Sequence, residues 1–304
     1  MKNQATTQGL QEKFQDITET YHKFLINSNL GENDSIFKLI LAKILTNLSS
    51  ANLLWSVGRC YDAFIILRSA FNSLILFEYL ISFPDKVETY KIDSEIAQFK
   101  NVFGYFERGF LPIEGLTECY LVLSNKTKAR LKLTIDPKTN ILKFKLDKLK
   151  KSLEDQKLNR SLTQKMYKMR DELKKENRHN IDEIVNHWLT SWNKNSHITH
   201  GEFYTLTDNF IENNNENEKQ LKLTDEIKEC FRQSMGIIVY SMESVNSLVK
   251  DENNFKKSIW DKILIFYKYL GYDTNKLFKK GTDIQSGLIQ VIRNPILFPN
   301  LSIS

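Results

Sequence analysis

Apolar residues recur every three to four positions along most of the chain, which is the spacing of one face of an α-helix. The first such stretch covers residues 10–26, and a turn rich in Asn and Gly follows it. A second covers residues 34–56 and a third residues 59–82, with Gly58 between them. Because glycine in a helical pattern marks a break or kink, the N-terminal part is predicted to form three helices.

The third of these helices is the most apolar. Apolar side chains cover more than half of its circumference, which is typical of a helix at the centre of a bundle. Pro84 predicts its end, since the residue before a proline is pushed out of the α region. The same spacing predicts further helices over residues 90–110, 158–177, 180–200, 224–250, 258–270 and 284–292, whereas 114–124 is ambiguous and 212–218 reads as a loop.

A different pattern occupies residues 130–146. Apolar and basic residues alternate with period two over 130–135 and again over 141–146, and Asp136-Pro137-Lys138-Thr139-Asn140 lies between them. This pattern predicts a β-hairpin. Its inward side chains are expected to be Leu131, Leu133, Ile135, Leu142, Phe144 and Leu146, and its outward ones Arg130, Lys132, Lys143 and Lys145.

The predicted fold class is therefore mainly α, a multi-helix bundle with a small β-hairpin insertion near residues 130–146. We expect a helical core over residues 1–210, with the insertion at 126–151, and C-terminal helices over 222–304 that pack on the same bundle as one compact domain. The low counts of glycine (eleven) and proline (five) in 304 residues agree with long helices and few turns.

Composition predicts a cytoplasmic protein without a membrane partner. The three cysteines, Cys60, Cys119 and Cys230, are far apart and odd in number, so neither a zinc site nor a disulfide framework is indicated. The first residues are polar, which predicts no export signal. The longest apolar run, residues 63–83, is interrupted by Arg68, Asn72 and Glu78, and charged side chains are costly in lipid.

Positive charge is concentrated in one segment. The formal net charge is +6, yet residues 126–151 carry ten basic residues against two acidic ones, Asp136 and Asp147. The outward residues Arg130, Lys132, Lys143 and Lys145 are therefore candidates for contacting RNA, DNA or a protein partner. Lysine-rich edge strands also prevent aggregation, so a purely protective role is the alternative.

The second candidate site combines Arg68 of the third helix with two residues far along the chain. In the predicted helix over 180–200, Ser196 and His200 lie one turn apart on the face that carries Trp188 and Trp192. His200 could serve as an acid or base, Arg68 could bind phosphate, and Ser196 completes the candidate catalytic set. The alternative is structural, in which Arg68 and His200 only link two helices.

Motifs for several other chemistries are missing from the sequence. It contains no GxxxxGK[ST] or GxGxxG loop, no HExxH and no GxSxG. We therefore predict neither a cofactor nor a metal.

Two short stretches resemble motifs of a bacterial helical family, domain of unknown function 5677. The first is Gly58-Arg59-Cys60-Tyr61-Asp62-Ala63 with Leu67-Arg68-Ser69-Ala70 and Phe83-Pro84, and the second is Ser196-His197-Ile198-Thr199-His200-Gly201. The resemblance spans residues 36–210. The chain departs from the family at Asn72, where an acidic residue is usual, so the resemblance implies no role for a carboxylate there.

That family is similar in turn to the HEPN helical bundles, which include RNase toxins and phage-defence proteins of the abortive-infection type. Their catalytic signature is an arginine four to six residues before a histidine, and no arginine of this chain has that spacing. The resemblance thus implies a helical protein of a bacterial or phage conflict system that binds a nucleic-acid or protein partner, or a second copy of itself. The alternative is a metal-independent ribonuclease or nucleotide-processing enzyme that uses His200 and Arg68.

Overall fold

The computed structural model describes residues 7–155, 168–169, 171–172, 175, 216–249 and 255–269. These residues are 81% helical and also form one two-stranded antiparallel sheet, which confirms the predicted mainly α fold with a small hairpin. The helices before the hairpin are α1 (Thr7–Asn27), α2 (Asp34–Ser56), α3 (Cys60–Ser82), α4 (Lys86–Glu107), α5 (Ile113–Leu121) and α6 (Asn125–Leu131). The hairpin consists of β1 (Thr134–Ile135) and β2 (Leu142–Lys143), and α7 (Leu146–Asp155), α8 (Glu216–Leu248) and α9 (Phe255–Tyr269) follow.

The chain divides into two compact units. The first unit comprises residues 1–81 and 173–304, and the second comprises residues 82–172. The predicted helices over 180–200 and 284–292 lie outside the described residues, as does most of the one over 158–177. The five described residues of segment 168–175 are helical.

Four helices of the first unit meet at one aromatic residue, Phe231 of α8. Its ring stacks on Phe266 of α9 with 4.4 Å between centroids, and it meets Phe14 of α1 and Trp55 of α2 edge-on at 5.8 and 5.7 Å. All four side chains are buried. Buried aromatic pairs stabilise a core beyond the contribution of the apolar area that they remove from water. Phe231 takes part in three such pairs and is therefore the central anchor of this core.

The apolar faces read from the sequence form that core. Leu10, Phe14, Ile17, Tyr21 and Leu25 of α1 are all buried. Thirteen of the 23 residues of α3 are buried, which agrees with its predicted central place. Leu39 belongs to the apolar spacing of the stretch 34–56 and is therefore expected to be buried, but it is 67% exposed. The reason is that Phe37 and Leu41, two positions to either side, face the core.

The second unit has its own core. Phe99 and Phe103 of α4, Tyr120 of α5 and Leu142 of β2 pack with Leu149 and Leu153 of α7. The sheet is held to the helices by two hydrogen bonds, from Leu142 N to Thr117 Oγ1 (3.1 Å) and from Tyr120 Oη to the Leu133 carbonyl (2.8 Å). The hairpin is thus part of a helical unit with a shared core.

The predicted strands were too long at both ends. Ser124 caps α6 by accepting a hydrogen bond from Thr127 N, and α6 continues through Arg130 and Leu131, so these two residues are helical. Lys132 ends that helix in the left-handed region (φ 55°). At the far side α7 already begins at Leu146, which is 45% exposed and not inward-facing as predicted. Only Thr134↔Lys143 and Ile135↔Leu142 remain paired.

Other boundaries also differ. The ambiguous segment 114–124 contains helix α5, and α4 begins at Lys86, four residues before its predicted start. Helix α8 begins at Glu216, so the end of the predicted loop 212–218 is helical. An abundance of polar residues favoured a loop there, but Glu, Lys and Gln are good helix formers.

Helices α2 and α3 are long and apolar enough to cross a membrane by length and composition alone. In α3, however, 61% of the most apolar window is buried inside the protein, and core helices pass the same test. Glu78 lies in that buried part, at 6% exposure. The cytoplasmic location therefore stays a prediction.

Candidate functional site

The motif at residues 58–63 forms the connection between α2 and α3. Gly58 has φ +79°, a conformation that favours glycine. Its N–H donates to the Trp55 carbonyl (3.1 Å), and the N–H of Arg59 donates to the Leu54 carbonyl (2.8 Å). These two bonds are the Schellman motif that closes a helix. The Arg59 carbonyl then accepts from Ala63 N (3.1 Å) and starts α3.

The sequence placed Arg59 within the apolar third helix. In the structure it lies on the surface, one residue before α3 begins. Its guanidinium pairs with Asp62 at 2.7 Å, and the two side chains are 65% and 44% exposed. Exposed ion pairs of this kind contribute about 0–1 kcal/mol. Arg59 therefore serves the local turn.

Two contacts join the same motif to α8. The Tyr61 hydroxyl donates to Glu226 Oε1 at 2.7 Å in a partly buried position, and the buried Cys230 thiol lies 3.6 Å from the Cys60 carbonyl oxygen. Glu226 and Cys230 are one helical turn apart, so they present both contacts from one face of α8. Neither contact was predicted from the sequence, since nothing in the local spacing relates Tyr61 to a position 165 residues away.

Arg68 and Asn72 lie further along α3 and are half-buried. Nearby, Ser69 Oγ accepts a hydrogen bond from Asn47 Nδ2 of α2 (3.2 Å). Ser196 and His200, the predicted partners of Arg68, lie outside the described residues. The candidate catalytic set Arg68, Ser196 and His200 therefore stays a prediction.

A buried polar group lies within the core of the first unit. Tyr21 of α1 is fully buried near Ser241 of α8 and Glu78 of α3. Burial raises the pKa of the Tyr21 phenol well above its usual value, the Ser241 hydroxyl lowers it, and the charge of Glu78 raises it further. The phenol is thus held in its neutral form, which suits a structural role. Among the described residues, no group of three His, Cys, Asp or Glu side chains could hold a metal ion.

Eight of the ten basic residues in segment 126–151 of the second unit fall into two sets. In the first set, Lys126, Arg130 and Lys150 pair with three carboxylates of α4: Glu88 (3.0 Å), Asp93 (2.7 Å) and Glu107 (2.5 Å). These pairs fasten α6 and α7 to α4. Arg130, one of the four predicted partner-binding residues, therefore has a structural partner.

The second set is the lysine cluster, which we define as Lys132, Lys143, Lys145, Lys148 and Lys151. All five are exposed, and none forms an ion pair with another described residue. Lys143 lies opposite the exposed Thr134 on the outward side of the sheet, and Lys145 follows two positions later. Lys148 and Lys151 continue at three-residue intervals along α7, whose first turn is closed by a bond from Leu149 N to the Lys145 carbonyl (3.0 Å).

The lysine cluster rests on a rigid base. In β2, Leu142 faces the core and the next residue, Lys143, is exposed. In α7, Leu149 and Leu153 face the core and the lysines are exposed. All three leucines are at most 5% exposed. The positions of the lysine backbones are therefore fixed by the core of the second unit. Phe144, the aromatic residue of the segment, is half-buried as the predicted inward side chain and meets Phe106 and Phe103 edge-on at 5.9 and 6.4 Å.

No family model, curated protein or solved structure matches this chain. The resemblance to domain of unknown function 5677 and to HEPN bundles consequently stays a prediction from the two short motifs.

Proposed function

We propose that the protein binds nucleic acid through the phosphate backbone, with the lysine cluster as its contact surface. This activity fits the role suggested by the resemblance, a helical partner-binding protein of a bacterial or phage conflict system. The observation that carries the proposal is the division of the basic segment, in which α4 supplies carboxylates to Lys126, Arg130 and Lys150 but the five lysines of the cluster have no described acidic partner.

The chemistry follows from the type of residue. A lysine ammonium is a compact charge on a flexible stem that reaches phosphate oxygens from a fixed backbone. Neutralising phosphates releases condensed counterions, so such binding weakens as salt rises. With up to five phosphates neutralised, the expected slope of log K against log salt is about −4.5 for a duplex.

A salt titration with matched variants tests the proposal. We expect the full chain to bind a fluorescein-labelled 20-base-pair duplex in 50 mM salt, measured by fluorescence anisotropy, with the slope given above. Replacing Lys143 and Lys145 together by Gln should reduce the slope by about 2, because each of these lysines is expected to neutralise one phosphate. Lys150→Gln is the matched control, since Lys150 lies on the same segment but pairs with Glu107.

Two results would refute the proposal. One is the absence of binding at low salt by a chain whose circular dichroism shows it folded. The other is binding that neither salt nor the Lys143/Lys145 variant changes. The ribonuclease alternative stays a prediction from the sequence, and RNA cleavage by the purified protein that disappears in His200→Ala would establish it.

A further inference from the structure

We infer that the lysine cluster takes double-stranded nucleic acid, bound by its backbone without reading its bases. This inference rests on the proposed function and names its ligand class. It comes from three properties of the described surface: the fixed positions of the lysines, the packing of the neighbouring aromatic residue and the engagement of the neighbouring arginine.

A group of lysines on a fixed backbone favours the ligand with the higher charge density, because all of their ammonium groups then reach phosphates near one place. Duplex DNA presents one negative charge per about 1.7 Å of axis, against about 3.4 Å for each strand. Lys148 and Lys151 of α7, together with Lys145 at its N-terminal end, span six residues, which is about 9 Å at the rise of an α-helix. Along that length a duplex offers roughly twice as many phosphates as one strand. A rigid row of lysines therefore gains more from a duplex.

Single strands are usually held by a second interaction, the stacking of bases on aromatic side chains, which contributes about 1–3 kcal/mol per base. The aromatic ring within the lysine segment, Phe144, is directed to Phe103 and Phe106 in the core. Within residues 126–155 no other aromatic residue is present. The segment that carries the lysine cluster therefore offers single strands charge but no exposed aromatic residue. The exposed aromatic residues of the second unit, Tyr105 and Phe110, lie at the end of α4 and just after it, outside this segment.

Sequence recognition is also disfavoured at this surface. Arginine reads guanine through its planar fork, with two parallel hydrogen bonds. The arginine of the segment, Arg130, already donates from its guanidinium to Asp93 at 2.7 Å. Lysines contact phosphate as point charges. We therefore expect the affinity to depend on strandedness and salt and not on base sequence.

The test compares ligands on one protein. Fluorescein-labelled 20-base-pair duplexes of two unrelated sequences, each as DNA and as RNA, are titrated alongside their separated strands in 100 mM salt. The duplexes should bind at least about tenfold more tightly than the strands, and the two sequences should agree within about twofold. The DNA and RNA arms identify which duplex is preferred.

Each outcome bears on a different claim. Single strands that bind as tightly as duplexes, or sequences that differ more than about tenfold, would overturn this inference and leave the proposed function standing. Absence of binding to every ligand would refute the proposed function itself. A Phe144→Leu variant adds an independent readout: it should retain both affinities within about twofold, and selective loss of single-strand binding would show that Phe144 stacks on bases and would overturn the inference.

Discussion

The turn at residues 58–63 and the lysine cluster are both charged segments that the sequence singled out, yet they use their charge in different ways. In the turn, Arg59 pairs with Asp62 three residues away, and the Tyr61 hydroxyl donates a hydrogen bond to Glu226. These polar groups therefore stabilise the fold through contacts within the chain. In the cluster, five exposed lysines lie on a backbone that buried leucines hold in place, while their neighbours Lys126, Arg130 and Lys150 pair with Glu88, Asp93 and Glu107 of α4. A cluster of charged residues in a sequence thus indicates a binding surface only for those residues that form no ion pair within the protein.

The turn attaches to α8, and Phe231→Ala tests most strongly whether α8 is held in place. Removal of the ring deletes its packing against Phe14, Trp55 and Phe266 at once. We expect a loss of about 3–5 kcal/mol in the free energy of unfolding, measured by urea denaturation. A loss below about 1 kcal/mol would show that this aromatic centre does not hold the four helices together. Ile265→Ala, at a position that is 52% exposed on α9, is the control and should cost far less.

The bond between Tyr61 and Glu226 is the next largest expected effect. Tyr61→Phe leaves a partly buried carboxylate without its donor, and Glu226→Gln removes the charge that strengthens the bond. Each should cost about 1–3 kcal/mol in unfolding free energy. In a double-mutant cycle the two effects should be non-additive, because Tyr61→Phe removes the hydrogen bond that Glu226→Gln weakens. Additive effects would mean that the turn is not tied to α8 through this pair.

Gly58→Ala probes the turn itself. Gly58 has a positive φ, so its backbone lies in the left-handed region. A residue with a Cβ atom pays about 1–2 kcal/mol to adopt this conformation. Thermal unfolding should report this loss while nucleic-acid affinity, which we assign to the lysine cluster, stays within about twofold. Gly58→Asn is the informative companion, since Asn tolerates this conformation and should lose less. Equal losses for both would indicate that the φ angle is not the cause.

Most of this fold can be predicted from the sequence, because its helices follow the local spacing of apolar residues. The buried faces of α1 and α3, the break at Gly58 and the existence of the hairpin depend on residues three, four or two positions apart. The strand ends were missed because capping by Ser124 extends α6 into the alternating pattern, and periodicity does not register caps. The partners of Tyr61 and Arg130 were missed for another reason, because Glu226 and Asp93 come close only through tertiary packing.

The buried phenol of Tyr21 predicts a pH effect on the stability of the first unit. Because burial raises its pKa in the folded state, the folded chain keeps this proton at a pH where the unfolded chain, with a phenol pKa of about 10, has lost it. The contribution of Tyr21 to the free energy of unfolding is therefore constant below about pH 10. Above that pH it falls by up to about 1.4 kcal/mol per pH unit. Tyr21→Phe should flatten this fall in urea denaturation between about pH 9.5 and 11. An unchanged slope would mean that the phenol does not titrate with unfolding.

The smallest expected effect distinguishes two lysines of one helix, α7, which differ in whether they form an ion pair. Lys150 pairs with Glu107 and Lys148 has no described partner, although both are exposed on α7. Lys150→Gln should cost about 0.2–1 kcal/mol in unfolding free energy and change duplex affinity little, whereas Lys148→Gln should leave stability unchanged and reduce the salt slope by about 1. Equal effects of the two variants on binding would show that the whole basic segment acts as a diffuse positive field. Opposite effects, with stability reduced only at Lys150 and affinity reduced only at Lys148, would show that ion pairs with α4 determine which lysines of this helix are available to a ligand.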